Sequence, residues 1–157
     1  MRWLYARSGQ GRGPGTVARW LNAASAYIHG LGIAPNFLLT LEVRGRRSGQ
    51  TIALPLVMVL VDGERYVVSM LGEDAQWVRN VRAAAGRAVL RCGRRQPVVL
   101  DEVPPPQRAR IIKAFLQRAP GARPHIRVDK DAPLAAFEPV AASIPVFHMR
   151  TDRSVSP

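Results

Sequence analysis

The stretch TIALPLVMVLVDGERYVVSM, Thr51 to Met70, decides the fold. Thr51 to Val61 and Arg65 to Met70 are rich in β-branched and aliphatic residues, which fit a pleated, half-buried surface. Asp62-Gly63 between them is a hairpin signal. A two-residue turn that follows the twist of its strands needs positive φ, which Asp tolerates and Gly adopts freely. Two antiparallel strands are therefore predicted to meet there. Upstream, Phe37 to Val43 has the same composition, and the polar, glycine-containing gap Arg44 to Gln50 reads as a turn. Phe37 to Met70 is thus predicted to be a three-stranded meander.

Downstream, Leu71 to Ala75 breaks the pattern, and Trp77, Val78, Val81 and Ala84 predict a short helix ending near Gly86. Strand character returns in Ala88 to Cys92 and Pro97 to Val103, a second hairpin across Gly93, Arg94 and Arg95. Pro104, Pro105 and Pro106 cannot continue a strand, but a proline just before Gln107 can open a helix. Ile111, Ile112, Phe115 and Leu116 then form an apolar stripe up to Pro120. Residues 119–133 read as loop, and Ile144 to Met149 as a last strand. Five or six strands with only short helices between hairpins lack the strand–helix alternation of a parallel sheet. The expected fold is therefore mainly β with short helices, a small antiparallel barrel whose rim loops carry function.

At the other end, residues 8–15 (SGQGRGPG) are too rich in Gly and Pro to pack, and Thr16 is an N-cap for Val17, Trp20, Leu21, Ala24 and Ile28 at helical spacing. The expected organisation is a flexible basic arm over residues 1–15, a single domain with an N-terminal helix over 16–150, and a disordered tail over 151–157.

Composition narrows the function classes. At 47% hydrophobic and 22% charged residues, the 157-residue chain is an ordinary globular domain. The longest apolar run, Ile52 to Val61, carries Pro55 and falls far short of the roughly 20 residues of a spanning helix. Met1 to Gly15 is broken by Arg2, Arg7, Arg12 and four glycines, unlike a signal peptide, so a cytoplasmic protein is expected. A single cysteine, Cys92, makes neither an internal disulfide nor a Cys-rich metal site. His29, His125 and His148 are isolated, and no metal site is predicted.

Charge is the dominant feature: 23 basic residues against 11 acidic give +12. Arg79, Arg82, Arg87, Arg91, Arg94 and Arg95 fall between Asp74 and Asp101 with no acid among them. Such a balance attracts polyanions or anionic surfaces. Single-strand binders interleave stacking aromatics with their cations, and none lies between Trp77 and Phe115, so no nucleic-acid partner is expected. Arg2, Arg7, Arg12, Arg19, Trp3 and Trp20 allow a weak peripheral association with the inner face of a membrane.

The generic catalytic motifs are absent. Gly45-Arg46-Arg47-Ser48-Gly49 is not a GxSxG elbow, and it lacks the length and lysine of a P-loop. It offers instead two guanidinium groups, a hydroxyl and turn N–H groups, a set suited to a phosphate or carboxylate.

Taken in order, Gly45-Arg46-Arg47-Ser48-Gly49-Gln50, Leu54-Pro55-Leu56, Asp62-Gly63, Tyr66-Val67-Val68-Ser69, Gly72, Trp77 and Asn80 resemble the signature of the deazaflavin (F420)-dependent nitroreductase family. Ser143-Ile144-Pro145-Val146 is similar to its last strand. The resemblance implies a split β-barrel like that of pyridoxamine-phosphate oxidases, and coenzyme F420, whose phosphate bears an oligoglutamate tail. It implies hydride transfer from reduced F420 to a small-molecule acceptor, a quinone, nitro or other conjugated compound. A monomer or homodimer is expected.

The resemblance also implies a cofactor site. Arg47, Ser48 and Gly49 would touch the phosphate with Arg46 beside them, Pro55 would shape the wall near the ring, and Ser69, Trp77 and Asn80 would line or support it. The backbone at Met70 and Leu71 would approach the ring. Catalytic residues are not assigned; proton delivery falls to water or to a hydroxyl such as Ser69 or Tyr66. Two family cations are missing, their places taken by Ile52 and Met70, and Arg44, Arg79 and Arg82 are the candidates to replace them. Two readings stand beside this one: an FMN-binding reductase using the same basic turn, and a non-catalytic protein holding a lipid, tetrapyrrole or flavin.

Overall fold

The computed structural model of the chain describes residues 38–155. The arm expected over residues 1–15 and the helix expected from Thr16 lie outside them. Six antiparallel strands, β1 (Leu38–Arg44), β2 (Thr51–Val61), β3 (Glu64–Val68), β4 (Arg87–Cys92), β5 (Arg94–Glu102) and β6 (Val146–Thr151), close into a barrel in the order β1-β2-β3-β6-β5-β4.

The meander forms as expected. Asp62 (φ 53°) and Gly63 (φ 78°) take the two positive-φ positions of the β2–β3 turn, and Val61 pairs with Glu64 across it. The second hairpin turns at Gly93 (φ 75°), with Cys92 opposite Arg94.

Alternation along the strands makes two apolar layers. Leu39, Leu41 and Val43, with Leu56, Val67, Leu90, Val98, Leu100, Phe147 and Met149, come from all six strands and fill the barrel interior. Helix α1 (Gln76–Ala83) plugs that interior with Val78 and Val81, and Trp77 packs at 5.5 Å from Phe147. The chain then turns sharply at Gly86 (φ 82°), where an added Cβ would lie 2.4 Å from Leu100 O. Only glycine fits so close an approach, and the Gly86 carbonyl accepts the Leu100 N–H at 2.8 Å.

The second layer is outside the barrel. Val57, Val59, Val61, Val68 and Val146 are covered by helix α2 (Ala109–Arg118) through Ile111, Ile112, Phe115 and Leu116. The 3₁₀ turn Pro105–Gln107 precedes α2, where the prolines were expected to open a helix.

Two local expectations are corrected, and one pair of short helical turns has no counterpart in the sequence reading. Residues 119–133 contain a 3₁₀ turn at Pro120–Ala122. Leu134–Phe137 (3₁₀) and α3 (Glu138–Ala141) form without a sequence stripe long enough to announce them; Phe137 and Ala141 are buried in the outer layer, so packing holds them. Thr151, expected in the tail, ends β6, and the next N–H, Asp152, bonds to Pro97 O at 3.0 Å.

Arg108 ties these outer pieces together. Its buried guanidinium donates to the carbonyls of Val103 (2.7 Å) and Ala141 (3.0 Å), to Ile144 O, and to the Glu102 carboxylate. Burial lowers its pKa, and Glu102 opposes that shift.

Candidate functional site

The β1–β2 turn meets α1 at Gln76 and Asn80. Gly45 N–H bonds to Gln50 O (2.8 Å) and Gly49 N–H to Gly45 O (2.9 Å), which closes the turn on itself. Asn80, 3% exposed, receives two hydrogen bonds from Arg46 on its Oδ1, one from the backbone N–H and one from Nη1. Arg46 Nη2 donates to Gln76 Oε1 at 2.9 Å. Gln76 and Asn80 stand four residues apart, on one face of α1. The turn is thereby fixed to the helix.

This arrangement separates the arginines. Arg46 is engaged by α1 and serves to position the turn. Among the described residues Arg44 and Arg47 make no ion pair, and both are exposed. Arg44 lies over the turn, its Nη2 3.6 Å from where a Gly49 Cβ would stand. The backbone N–H groups of Arg47 and Ser48 have no protein acceptor among the described residues. Ser48 Oγ accepts the Gln50 N–H (3.2 Å), which leaves its own proton to donate outward.

The other two candidate replacement cations are spent. Arg79 pairs with Asp74 at 2.8 Å. Arg82 is held between Glu73 (2.7 Å) and Glu102, and those hydrogen bonds, Glu102 first, push its pKa above the usual arginine value. Only Arg44 of the three stands at the turn.

The remaining expected site residues are spread around this centre. Ser69 is 1% exposed; its Oγ donates to Gly72 O (2.8 Å) and its N–H to Pro145 O (2.9 Å), so the hydroxyl closes the loop between β3 and α1. Met70 packs against the outer layer and Leu71 is exposed. Trp77 packs against the interior layer. Pro55, opposite Thr40, alternates with the interior residues Leu54 and Leu56 and so belongs to the other face of β2. The structure thus brings Arg46, Arg47, Ser48, Gly49 and Asn80 together and leaves Pro55 on the opposite face from Trp77. Tyr66 meets His148 in a tilted ring contact (5.2 Å) and packs on the outer layer.

Gln76 is the participant that sequence reading missed. Its spacing to Asn80 was visible, but its partner Arg46 is 30 residues away. Ile52 borders the turn: its Cδ1 would be 3.1 Å from a Cβ placed on Gly45, and the side chain is 43% exposed.

The donor set of this turn fits a phosphate-bearing cofactor. The turn carries two guanidinium groups, two backbone N–H groups and a hydroxyl that have no carboxylate partner among the described residues.

The profile of the F420H(2)-dependent quinone reductase family matches residues 18–139. No curated protein matches the sequence. Among solved structures, the chain is similar to the Agrobacterium tumefaciens C58 protein Atu2129, of unknown function, at 13% identity and a TM-score of 0.51 over 73% of this chain. It spans about half, 47%, of that protein. A structure described as a domain-swapped dimer shares 17% identity at a TM-score of 0.50, covering 85% of this chain and 98% of its own. An F420-H2 dependent reductase, FDR-A, shares 17% identity at a TM-score of 0.48, over 73% of this chain and 94% of its own.

Proposed function

The chain belongs to the F420H(2)-dependent quinone reductase family, and from that premise we propose that it passes a hydride from reduced coenzyme F420 to a quinone or another conjugated acceptor, nitro compounds included. The observation that carries the proposal is the β1–β2 turn. Arg47, Ser48 and the two free N–H groups form the phosphate seat, Arg44 adds a second cation over Gly49, and Arg46 with Asn80 holds the seat against α1.

The deazaflavin, when bound, supplies the hydride. The protein's part is binding, orientation and exclusion of water. Arg44 and Arg47 bind by charge-assisted hydrogen bonds. Ser69 is placed in the β3–α1 loop as a structural hydroxyl, its proton committed to Gly72 O. Tyr66 faces the outer layer beside His148. Neither is assigned the acceptor's proton, and water is the donor in this reading.

The test is turnover of a water-soluble quinone by the full chain with reduced F420, followed through the reappearance of oxidised-deazaflavin absorbance. Turnover with F420 and tighter binding of F420 than of FMN are expected. FMN bound as tightly as F420, or no oxidation above the protein-free rate, would overturn the proposal. A homodimer belongs to the same reading, supported by the domain-swapped dimer among the similar structures. Light scattering reads it directly.

A further inference from the structure

Away from the turn, the strand register sets a row of three residues on the outer wall of the barrel. Arg87 of β4 is opposite Val99 of β5, and Val99 is opposite Arg150 of β6. Neighbouring strands lie about 4.8 Å apart, so the two arginine Cα atoms are roughly 10 Å apart with a half-buried valine midway. A groove of about 650 Å³ runs over this row, bounded also by Ala85, Asp152, Arg153 and Ser154. Small-molecule sites commonly occupy about 300–1,000 Å³.

The charges in the groove are unbalanced. Arg87 and Arg153 make no ion pair among the described residues, while Arg150 is bound to Asp101. The single carboxylate of the lining, Asp152, accepts the Ser154 N–H (2.9 Å) and hydroxyl (2.6 Å) on one oxygen. It thus contributes a negative field to the groove and makes no ion pair with Arg87 or Arg153 among the described residues. Three arginines and one aspartate line the groove together with Val99 and Ala85, and one of the three, Arg150, is paired outside the lining with Asp101. A guanidinium fork matches phosphate and carboxylate oxygens, and the apolar floor between the forks favours a ligand with a flat hydrocarbon body.

We propose that this groove is a second anion site, which takes an organic anion carrying its phosphate or carboxylate on a flat apolar body. Arg87 and Arg153 hold the anionic group, and the body lies on Val99. The site is separate from the turn, which is fastened to α1 through Gln76 and Asn80, whereas the groove opens beyond the end of that helix at Ala85.

The test uses phenyl phosphate and inorganic phosphate as probes on the full chain, with amide shifts in two-dimensional NMR giving both location and affinity. Phenyl phosphate is expected to shift the amides of Arg87, Val99 and Arg153 and to bind several-fold more tightly there than inorganic phosphate. Arg87→Ala and Arg153→Ala should each weaken it about tenfold, the factor that ~1.4 kcal/mol makes. Arg87→Gln, which keeps a hydrogen bond and removes the charge, should fall between, and Arg47→Ala should leave this groove unaffected. Shifts confined to residues 44–50, equal affinity for the two probes, or parental affinity in both alanine variants would overturn the proposal.

Discussion

Asn80 Oδ1 accepts hydrogen bonds from both the backbone N–H (3.2 Å) and the guanidinium Nη1 (2.8 Å) of Arg46, across 34 residues of sequence. One buried amide oxygen therefore sets both the path of the β1–β2 turn and the orientation of a side chain within it. Arg46 is held in place, and the free charge of the turn passes to its neighbours Arg44 and Arg47.

Replacing Asn80 by Ala removes both contacts from a nearly fully buried position. A loss of about 1–3 kcal/mol in urea unfolding is expected, together with weaker F420 binding because the turn is released from α1. Asn80→Asp keeps the acceptor and should retain the turn. An unchanged unfolding midpoint in Asn80→Ala would show that the turn holds its shape unaided.

Arg47→Ala and Arg44→Ala each remove an exposed guanidinium with no protein partner among the described residues, so folding stability should change by less than about 0.5 kcal/mol. Arg47→Ala should cost ~1.5–3 kcal/mol of F420 binding, roughly ten- to over a hundredfold. Titration calorimetry on the folded variants decides the matter, and parental affinity in Arg47→Ala would move the phosphate away from the turn.

Ile52 stands where the sequence resemblance implies an arginine, and it is exposed beside Gly45. An added guanidinium would therefore remain in water. Ile52→Arg is expected to fold normally and to bind F420 more tightly, with the gain shrinking as salt rises because exposed charges are screened over about 8 Å at physiological ionic strength. A folded variant with unchanged affinity would mean that Arg44 already fulfils this role.

Arg108→Ala should be among the most destabilising single changes in the barrel domain. It strips donors from the carbonyls of Val103, Ala141 and Ile144 and leaves Glu102 without one of its two arginines. A loss of about 3 kcal/mol or more is expected. Arg108→Lys should recover little of it, since one ammonium cannot span acceptors arranged for a planar fork. Denaturant midpoints measure both, and full recovery in the lysine variant would contradict the geometry.

Asp152 has its pKa lowered first by the Ser154 hydroxyl and then by the Ser154 N–H. A carboxylate depressed in the folded state contributes stability that is complete above its unfolded pKa, about 3.9, and lost as pH falls through the folded value. Ser154→Ala removes the larger cause, so the Asp152 titration should move upward toward the ordinary value. Carboxyl-carbon NMR follows it, and an unmoved titration would assign the depression to the arginines nearby.

The sequence by itself determined the barrel's local parts. Hairpins at Asp62-Gly63 and Gly93, the short helix carrying Val78 and Val81, and the stripe Ile111, Ile112, Phe115 and Leu116 all rest on φ preferences and periodicity that act over a few residues. The phosphate-ready composition of Gly45 to Gly49 was legible for the same reason. The tertiary structure alone decided which arginines are free. Arg79 and Arg82 sit in a run that looks uniformly basic, yet Asp74, Glu73 and Glu102 neutralise them, while Arg44 and Arg47 make no ion pair among the described residues. Pairing is settled within a few ångströms: the packing of α1 on the barrel brings Arg82 to Glu102, 20 residues on, and the order β1-β4-β5 brings Arg95 to Glu42 across 53 residues. Alternation along a strand tells which face a side chain takes; which charge it meets there depends on the strand beside it.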